Sequence, residues 1–466
     1  MFHLLHGRLR VSFGDPLVVA DQPLLREGGY GWVVVAAVAL VNAHSWGLNS
    51  SYAIFLAYYL HSGYIPGATA LDFAFVGGLS ISVGLLVSPV VTLCVGKFGT
   101  NETLRIGLFF ETLSFIGASF ASTIWHLILS QGVCFGIGMG FCFTATVGIV
   151  PQWFTTKRSF ANALATAGSG FGGLCYSLAT NAMIARLGLP WTFRILAIIA
   201  CVVLGACSLV VRDRNKAVGA RHLAFHTSLF LRPEFWLFTG WGFFGIIGYT
   251  IVIFSLADYA LQVGFSASQG SMVVAMFSLS QAVGRPLIGL VSDSLGKINV
   301  AGLCTLVASL AQFFLWIFAG QYYAGLIVFA LLGMLAGVMW PTVAPVGVEV
   351  VGLQLLPAAL SIYWLVLVLP STFAEVMGLC LRRPGTQGYL HVQLFAGALY
   401  MASFLSIWML RSWKLREIHA LRLLGQEREA ERRHVDAVPA VTSTRPPRRR
   451  LLVPSFLKLF FSRECV

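Results

Sequence analysis

Several polar residues and one arginine share a face of an otherwise apolar stretch between residues 268 and 293. Their spacing of seven, three and four residues is that of a helix face, and they are Ser271, Ser278, Gln281 and Arg285. At about 1.5 Å per residue, Arg285 would lie roughly 12 Å from Asp293, inside a hydrocarbon layer about 30 Å thick. A charge at that depth is costly unless it faces a bundle interior or a wet cavity. We therefore predict that Arg285 and Gln281 line a pathway; the alternative is an arginine that pairs with a neighbouring helix for structure alone.

The composition of the chain places this stretch in a membrane. Of 466 residues, 57% are hydrophobic and 11% are charged, whereas a soluble domain carries about 25% charged residues. We therefore expect an integral membrane protein whose surroundings are the lipid bilayer. The net charge of +13 lies in short loops and in the tail, which is typical of membrane topology and does not indicate nucleic-acid binding. The nine cysteines are dispersed and show no metal-ligand or disulfide spacing.

Twelve apolar segments are long enough to span a bilayer, which needs about 20 residues per helix. They lie at 31–60, 71–95, 104–122, 124–150, 159–184, 190–212, 235–260, 268–293, 298–318, 322–350, 352–380 and 390–411. The sequence thus predicts an all-α membrane protein with twelve transmembrane helices in two six-helix pseudo-repeat halves. The predicted divisions are an N-terminal segment 1–26, a first bundle 27–212, a connecting loop 213–233, a second bundle 234–412 and a basic tail 413–466.

Lysines and arginines are concentrated on one side of these segments. Counted from a cytosolic N-terminus, 26 of the 31 fall in the N-terminal segment, in alternate loops, in the connecting loop and in the tail. Positive charges of short loops are retained on the cytosolic side of a membrane. The distribution therefore predicts a multi-pass protein with both termini in the cytosol, and we expect the plasma membrane as its location.

The two halves repeat a short pattern where their second segments end. The stretch from Pro89 to Gly99 precedes a similar one, from Pro286 to Gly296, by 197 positions. Repeated six-helix halves are common in secondary transporters, with the substrate site at the midplane between them. The second copy contains Asp293, followed by Lys297, and we predict that the two latch the cytosolic face through helix-end electrostatics; the alternative is a soluble loop. The first copy has Gly96 at the position of Asp293.

Three motifs lie at specific places in this topology. Glu27-Gly28-Gly29-Tyr30-Gly31-Trp32 opens the first segment, Trp153-Phe154-Thr155-Thr156-Lys157-Arg158 precedes the fifth, and Gly284-Arg285-Pro286 lies in the eighth. Together they resemble the signatures of the monocarboxylate transporter family of the major facilitator superfamily. The stretch Trp46-Gly47-Leu48-Asn49-Ser50, with Tyr58-Tyr59, is most similar to the fungal branch of that family. The resemblance implies the major facilitator fold, motif or gating positions at Lys157, Arg158 and Gly284, and a substrate site at Arg285.

The chain departs from the animal lactate carriers of that family at two positions. The resemblance places Ser50 where those carriers have a lysine, and Gln281 where they have an aspartate one turn before the arginine. In those relatives the lysine and the aspartate are tied to anion binding and proton coupling. We therefore do not transfer lactate as the substrate, nor proton coupling through this pair.

A second polar stripe follows the first segment. Asn42, Ser45 or Trp46, Asn49 and Tyr52 share a helical face. We assign Asn42, Trp46 and Asn49, with Ser50, to substrate binding; hydrogen bonding between helices is an equal alternative.

Three single residues in other segments are further candidates for binding the substrate or a proton. Trp340 in the tenth segment either stacks an organic substrate or fills a packing gap. Glu111 and Glu375 are candidate proton sites because a carboxyl group embedded in a membrane is able to carry a proton. Their alternative is a carboxylate that snorkels or pairs near an interface.

These observations predict a secondary transporter that moves an anionic or polar organic small molecule by alternating access. It is not expected to be an enzyme or to need a cofactor. The phosphate-binding pattern Gly-x-x-x-x-Gly-Lys-[Ser/Thr] is missing from the sequence, so nucleotide hydrolysis is not expected. Two alternatives stay open: export of a fungal secondary metabolite, and a membrane sensor that transports nothing.

The tail ends in a basic cluster and a short apolar patch between residues 448 and 461. The patch is too short to span a bilayer. Contact with anionic lipid headgroups is one prediction for it, and disorder is the other.

Overall fold

The computed structural model describes residues 28–62, 64–383, 388–437 and 459–460, and in them the chain forms helices joined by short turns. Twelve helical rods follow one another in this part of the chain. The first six are α1 (Tyr30–His44, Trp46–Ser50 and Tyr52–Ser62), α2 (Ala70–Leu86 and Ser88–Phe98), α3 (Thr100–Ala118), α4 (Ile124–Leu127, the π-helical Ile128–Cys134 and Phe135–Val147), α5 (Arg158–Leu187) and α6 (Leu189–Val210). The other six are α7 (Pro233–Gln262), α8 (Ala267–Leu295), α9 (Lys297–Leu310, the π-helical Ala311–Trp316 and Ile317–Ala319), α10 (Tyr323–Leu331, Gly333–Ala336 and residues 339–351), α11 (residues 353–366 and Val368–Leu381) and α12 (Leu390–Ala437).

The lengths and composition of these rods fit membrane spans. Among the described residues, eight helical stretches are long and apolar enough to cross a membrane, and a ninth is the pair Phe75–Leu86 and Ser88–Phe98, bent by 45°. One of the eight, Tyr323–Gly378, contains two rods, because Gly352 with a φ of 77° turns the chain between α10 and α11. α3 and α5 have 19 and 30 residues, enough to span, but a more polar composition. The predicted all-α architecture of twelve helices is confirmed.

Buried side chains form a large cluster in each half. One is built by α1 to α6 and the other mainly by α7 to α12. Leu85, Phe143 and Val147 of the first half belong to the second cluster, so the halves pack directly on each other. Large apolar side chains such as Val202 and Phe314 stay exposed on the outside, as expected for a surface that lipid covers.

The halves meet along two helix pairs, α5 with α8 and α2 with α11. Small residues allow the first pair to approach closely. A Cβ atom at Gly289 of α8 would lie 2.6 Å from Cβ of Ala163 on α5, and one at Gly170 would lie 2.8 Å from Cβ of Ala282. Larger residues at these glycines would therefore force α5 and α8 apart.

Two residues of the tail, Leu459 and Phe460, lie against α12. Leu459 is buried, and its carbonyl oxygen accepts a hydrogen bond from Nη1 of Arg411 at 3.2 Å. The carbonyl oxygen of Phe460 accepts one from Nε1 of Trp408 at 2.9 Å. These two residues of the apolar patch thus contact the second half of the bundle; the rest of the patch lies outside the described residues.

Candidate substrate site and gate

Arg285 lies in the middle of α8 and connects the two halves. It is buried, with 6% of its surface exposed. Its Nη1 donates to the carbonyl oxygen of Thr166 at 2.8 Å and to Oγ of Ser169 at 2.6 Å, both on α5. Its Nη2 donates to Oε1 of Gln281 at 3.0 Å, while its Nε has no acceptor among the described residues. The only charge near mid-depth of α8 therefore ties the second half to the first.

Gln281 holds this arginine together with a tyrosine of α7. Its Oε1 also accepts a hydrogen bond from the hydroxyl group of Tyr249 at 3.1 Å. The side chain is buried, and α10 comes so close that a Cβ at Gly337 would lie 2.6 Å from that oxygen. Of the four residues of the predicted polar stripe, Gln281 and Arg285 are therefore buried in the bundle interior, where they form one polar cluster with Tyr249, while Ser278 is half-buried and Ser271 is exposed.

Five aromatic rings from both halves lie beside this polar cluster. The aromatic cluster consists of Trp46 of α1, Phe143 of α4, Tyr249 of α7, Trp340 of α10 and Trp364 of α11. Trp46 contacts Trp340 across the interface with ring centroids 4.9 Å apart, and Phe143 contacts Trp364 at 5.1 Å. Trp340 and Trp364 are nearly parallel, with 14° between their planes, and Tyr249 lies 6.3 Å from Trp340. The cluster thus closes the space between the halves at the depth of the polar cluster.

Sequence reasoning found only part of this aromatic cluster. Trp46 and Trp340 were predicted to bind substrate, and the structure brings both of them next to the polar cluster. Sequence reasoning missed Phe143, Tyr249 and Trp364, because an aromatic residue among apolar neighbours is not distinguished from an ordinary core residue. The alternative prediction for Trp340, that it fills a packing gap, also describes what is seen, since its ring is in contact with four others.

The polar residues of α1 bond mainly to neighbouring helices. Nδ2 of Asn42 donates to the carbonyl oxygen of Ala165 on α5 at 3.1 Å, and Oδ1 of Asn49 accepts from Oγ of Ser80 on α2 at 2.8 Å. Ser50 is exposed and donates to the carbonyl oxygen of Trp46 in its own helix. The structure thus places Asn42 and Asn49 in contacts within the first half; a role for them in substrate binding stays a prediction.

The two candidate proton sites lie apart from this centre. Glu111 on α3 is completely buried, and neither of its carboxyl oxygens has a hydrogen-bond partner in the described part of the chain. A neighbouring turn of α4 covers it so closely that a Cβ at Gly138 would lie 2.6 Å from its backbone nitrogen. Glu375 lies in α11, but its side chain is outside the described residues. The proton role of both stays a prediction.

Asp293 joins the halves at the end of the bundle that carries the connector, residues 211–232. Its Oδ1 accepts a hydrogen bond from the backbone nitrogen of Ser159 at 2.8 Å, and its Oδ2 accepts one from that of Phe160 at 2.9 Å. The carboxylate of α8 therefore caps the N-terminus of α5, where backbone donors are free and the helix dipole is positive. Asp293 is in the predicted position for a latch between the halves.

Lys297, the second residue of the predicted latch, has a contact of its own, and its gating role stays a prediction. Nζ of Lys297 forms its ion pair with Glu349 at the end of α10, at 2.5 Å. Asp293 and Lys297 lie on either side of the turn at Gly296, where α8 ends and α9 begins. Because α9 leaves in a new direction, Lys297 reaches α10, while Asp293 reaches α5.

The remaining motif residues have local roles. Nε of Arg158 donates to the carbonyl oxygens of Pro151 and Phe154, at 3.2 and 3.0 Å, which fixes the turn before α5. Lys157 in the same turn is exposed. A Cβ at Gly284 would lie 2.3 Å from Cβ of Met334, so this glycine lets α8 and α10 pack. Their gating roles stay predictions.

The connector occupies the position in the first half that corresponds to the Asp293 latch. Gly96 takes the place of the aspartate, and a Cβ there would lie 2.8 Å from Cβ of His222 in the connector. The backbone nitrogen of Arg221 donates to the carbonyl oxygen of Gln354, at the start of α11, at 2.8 Å. Oγ1 of Thr100 donates to Oδ2 of Asp213 at 2.6 Å. The connector therefore bridges the halves where the repeat lacks its acid.

Gly96→Ala is expected to loosen this connector, because the added Cβ would overlap His222. We expect amide hydrogen exchange at Arg221 to become several-fold faster, measured by mass spectrometry on the purified protein. Gly78→Ala on the same rod is the matched control, since a Cβ there meets no atom within 4 Å. Unchanged exchange in Gly96→Ala would show that the contact does not hold the connector.

A lower pH should loosen the connector of the unmodified protein, as Gly96→Ala is expected to do. Burial lowers the pKa of His222 below its usual 6.5, against the opposing effects of Asp213 and the Ala220 backbone. The docked connector therefore favours neutral His222, and its stability is complete above pH 6.5 and falls as the pH drops below that value. Exchange at Arg221, corrected for its intrinsic pH dependence, should rise below pH 6.5.

The fold and the site define a class: a transporter of two helical halves with a central site and contacts that lock one end. The chain belongs to the Major Facilitator Superfamily, because the sequence pattern of that family matches residues 34–375. It is thus a secondary transporter of that type, and not an enzyme by its family.

Similar proteins of fungi carry transporter names. The chain is 33% identical to "Probable transporter MCH2" of Saccharomyces cerevisiae over 88% of its length and 87% of that protein. It is 30% identical to "Uncharacterized transporter ESBP6" of the same yeast, over 84% of this chain and 60% of the relative. The "Fujikurins efflux protein" of Gibberella fujikuroi is 25% identical over 80% of each chain.

Solved structures of the superfamily have the same fold. The proton:xylose symporter XylE, bound to 6-bromo-6-deoxy-D-glucose, matches with a TM-score of 0.66 and 14% identity, over 81% of this chain and 95% of that one. FucP in its outward conformation matches with a TM-score of 0.63 and 14% identity, over 81% and 98%. At this identity the likeness concerns the fold.

Proposed function

We propose that this protein moves an organic, anionic or polar small molecule across a membrane by alternating access, and that Arg285 is the cation that attracts it. The observation that carries the proposal is the position of Arg285 between the halves. Its guanidinium group is buried among neutral acceptors of Thr166, Ser169 and Gln281. A buried arginine without a carboxylate among these acceptors is a binding group for an anion.

Substrate binding would release a contact between the halves. Nη1 of Arg285 now bonds to two neutral oxygen atoms of α5. A carboxylate is able to accept two parallel hydrogen bonds from the guanidinium group, and its negative charge adds an attraction that the neutral oxygen atoms of α5 lack. An anion would therefore compete with Thr166 and Ser169 for the guanidinium group and free α8 from α5. Rocking of the halves then depends on Asp293, which holds α5 and α8 together at the connector end.

The structure is closed at that connector end. Asp293 caps α5 there, and the connector bonds to α11. With both termini in the cytosol, as the basic residues predict, this is the cytosolic end, and the site would open to the outside. We propose the plasma membrane as the location of this multi-pass protein.

The direct test is a comparison of metabolites in cells with and without the protein. A transporter changes the ratio of intracellular to extracellular concentration for its own substrate. We expect one or a few organic anions to change in this way, and proteoliposomes with the purified protein should then move the same compound. A metabolite profile that stays the same in both cell lines would contradict the proposal.

Within its superfamily the protein resembles the monocarboxylate branch, without being an ordinary lactate/proton symporter. The motifs that open the first segment, precede the fifth and lie in the eighth support the first part. The second part follows from Ser50 and Gln281. Gln281 accepts hydrogen bonds from both Arg285 and Tyr249, and an amide is not a group that takes up or releases a proton at neutral pH. Coupling to protons through the residue next to Arg285 is therefore not expected.

Labelled lactate should enter proteoliposomes slowly under an inward proton gradient. We expect uptake at least about tenfold below that of a lactate carrier, since each missing charge-assisted contact of about 1.5 kcal/mol corresponds to a factor of roughly ten. Ser50→Lys combined with Gln281→Asp should raise lactate uptake, while either change alone should not. Saturable, proton-driven lactate uptake by the unmodified protein would contradict this prediction.

Export of a secondary metabolite is the second candidate function. The similarity to the fujikurins efflux protein favours it. An exporter would lower the intracellular concentration of its substrate and raise that in the medium, whereas an importer would do the reverse. The metabolite comparison described above therefore also gives the direction.

A further inference from the structure

A site between α9 and α12, at the connector end of the bundle, holds Leu459 and Phe460, which together are called the docked tail segment below. The ring of Trp408 on α12 lies against α9, where a Cβ at Gly302 would come within 2.9 Å of its Cε3 atom. Nε1 of Trp408 donates to the carbonyl oxygen of Phe460 at 2.9 Å, and the ring of Phe460 is edge-on to it, with centroids 6.4 Å apart. Leu459 is buried, with 3% of its surface exposed. The second half therefore binds this segment through both side chain and backbone contacts.

Arg411 of α12 joins the docked tail segment to α9. Its side chain is buried, and its Nη1 donates to the carbonyl oxygen of Leu459 at 3.2 Å. Its Nε donates to Oδ1 of Asn299 on α9 at 2.5 Å. The guanidinium carbon also lies 4.6 Å from the centre of the Trp408 ring. Because the donors of a guanidinium group have fixed directions, the docked tail segment and Asn299 together determine the position of this side chain.

Asn299 continues these hydrogen bonds to the end of α8. Its Nδ2 donates to the carbonyl oxygen of Leu295, the last residue of α8, at 2.9 Å. Leu295 closely follows Asp293, whose carboxylate caps α5. An unbroken series of hydrogen bonds thus runs from the tail, through Arg411 and Asn299, to the part of α8 that carries the Asp293 latch.

The chain is long enough for the tail to return to this site. α12 is helical as far as Ala437, and its part beyond Arg411 is about 39 Å long at 1.5 Å per residue. Residues 438–458 precede the docked tail segment, and a chain of this length spans at most roughly 70 Å when extended. Because the segment and its site belong to one chain, their effective concentration is high, and few contacts are needed for docking.

We propose that the tail regulates the gate of this protein. The docked tail segment holds Arg411 and Asn299 in place, and these two residues keep the end of α8 where Asp293 caps α5. Docking then favours the state that is closed at the connector end, and release of the tail loosens that closure. The inference concerns the gate and does not depend on which solute the protein moves.

Limited trypsin digestion of the purified full-length protein in nanodiscs of neutral lipid measures docking. Trypsin cleaves after Lys458, and burial of Leu459 should protect this bond. We expect Leu459→Asp to speed cleavage after Lys458 at least about tenfold, since a carboxylate is costly in a buried apolar position. Leu421→Asp is the matched control, because Leu421 lies exposed on α12 beyond Arg411, and it should leave the rate unchanged.

Hydrogen exchange at the amides of Ser159 and Phe160 measures the gate in the same samples. We expect Leu459→Asp to make both amides exchange several-fold faster, though less than Asp293→Asn, which removes the charge of the cap itself. Asn299→Leu keeps nearly the same volume and removes the link between Arg411 and the end of α8. It should speed this exchange as well, while cleavage after Lys458 rises by less than in Leu459→Asp.

Four results would overturn the inference. Cleavage after Lys458 that is as fast in the unmodified protein as in Leu459→Asp would show that the segment is not docked. Protection of that bond only in nanodiscs with anionic lipid would assign the tail to the lipid headgroups instead. Unchanged exchange at Ser159 and Phe160 in Leu459→Asp, with faster cleavage after Lys458, would show that docking does not affect the gate. Unchanged exchange in Asn299→Leu would exclude the path through Asn299.

Discussion

Arg285→Ala is expected to lower transport at least about 100-fold while the protein still folds and reaches the membrane. The substitution removes the cation between the halves and leaves Thr166, Ser169 and Gln281 without their shared donor. Charge-assisted hydrogen bonds contribute about 1.5–3 kcal/mol each, and about 3 kcal/mol of lost substrate binding corresponds to a factor of roughly 100. The measurement is flux of the solute identified by metabolite comparison, normalised to protein in the membrane.

Arg285→Lys should lower transport nearly as much as Arg285→Ala. A lysine has a single ammonium group, whereas the planar guanidinium group reaches α5 and Gln281 at the same time and offers a substrate two parallel donors. Val283→Ala is the matched control on the same helix, because Val283 lies on its exposed side. Normal flux with alanine at position 285 would make this arginine a structural residue, which was the alternative reading of the polar stripe.

The number of helices and the central cation were predictable from the sequence, because both depend on the difference between apolar runs and the polar or charged residues that interrupt them. A charge within an apolar run is conspicuous, so Arg285 and Gln281 were found, and both face the bundle interior. Apolar runs separated by short polar loops gave twelve segments, and the part of the chain that the structure describes contains twelve rods. The boundaries between α10 and α11 were also placed well, because Gly352 interrupts the hydrophobic pattern there.

Residues that act through the backbone or through apolar surface were not predictable in the same way. The partners of Asp293 are two backbone nitrogen atoms at the start of α5, and no side chain in the sequence marks them. Phe143 and Trp364 look like any other core residue until the helices are packed. Asn42 was assigned to the pathway by periodicity, yet α5 lies on that side of α1 and takes its hydrogen bond.

The contact between Gly96 and the connector was also not predictable from the sequence. Gly96 was recognised as the position where the first half lacks an aspartate, but the sequence does not tell what fills the space. The structure places His222 there. A residue more than a hundred positions away replaces the missing side chain, and such a contact depends on the path of the connector rather than on any local pattern.

Asp293→Asn is expected to weaken the lock at the connector end by about tenfold to 100-fold. The asparagine has nearly the same size, but it carries no charge and offers one oxygen to the two backbone donors of Ser159 and Phe160. Loss of one charge-assisted hydrogen bond to a helix N-terminus costs about 1.5–3 kcal/mol. Since about 1.4 kcal/mol is a factor of ten, the amides of Ser159 and Phe160 should exchange hydrogen faster by that amount.

Ser294→Ala is the matched control for this exchange measurement. Ser294 lies next to Asp293 but is exposed, and its hydroxyl group bonds only within its own helix, to the carbonyl oxygen of Val291 among the described residues. Its loss should leave the exchange of Ser159 and Phe160 unchanged. Transport should fall in Asp293→Asn, because the state that is closed at the connector end becomes less populated and the site is less often presented to the opposite side. If the two amides keep their protection in Asp293→Asn, the cap is incidental, and the halves are held by the packing of α5 on α8 alone.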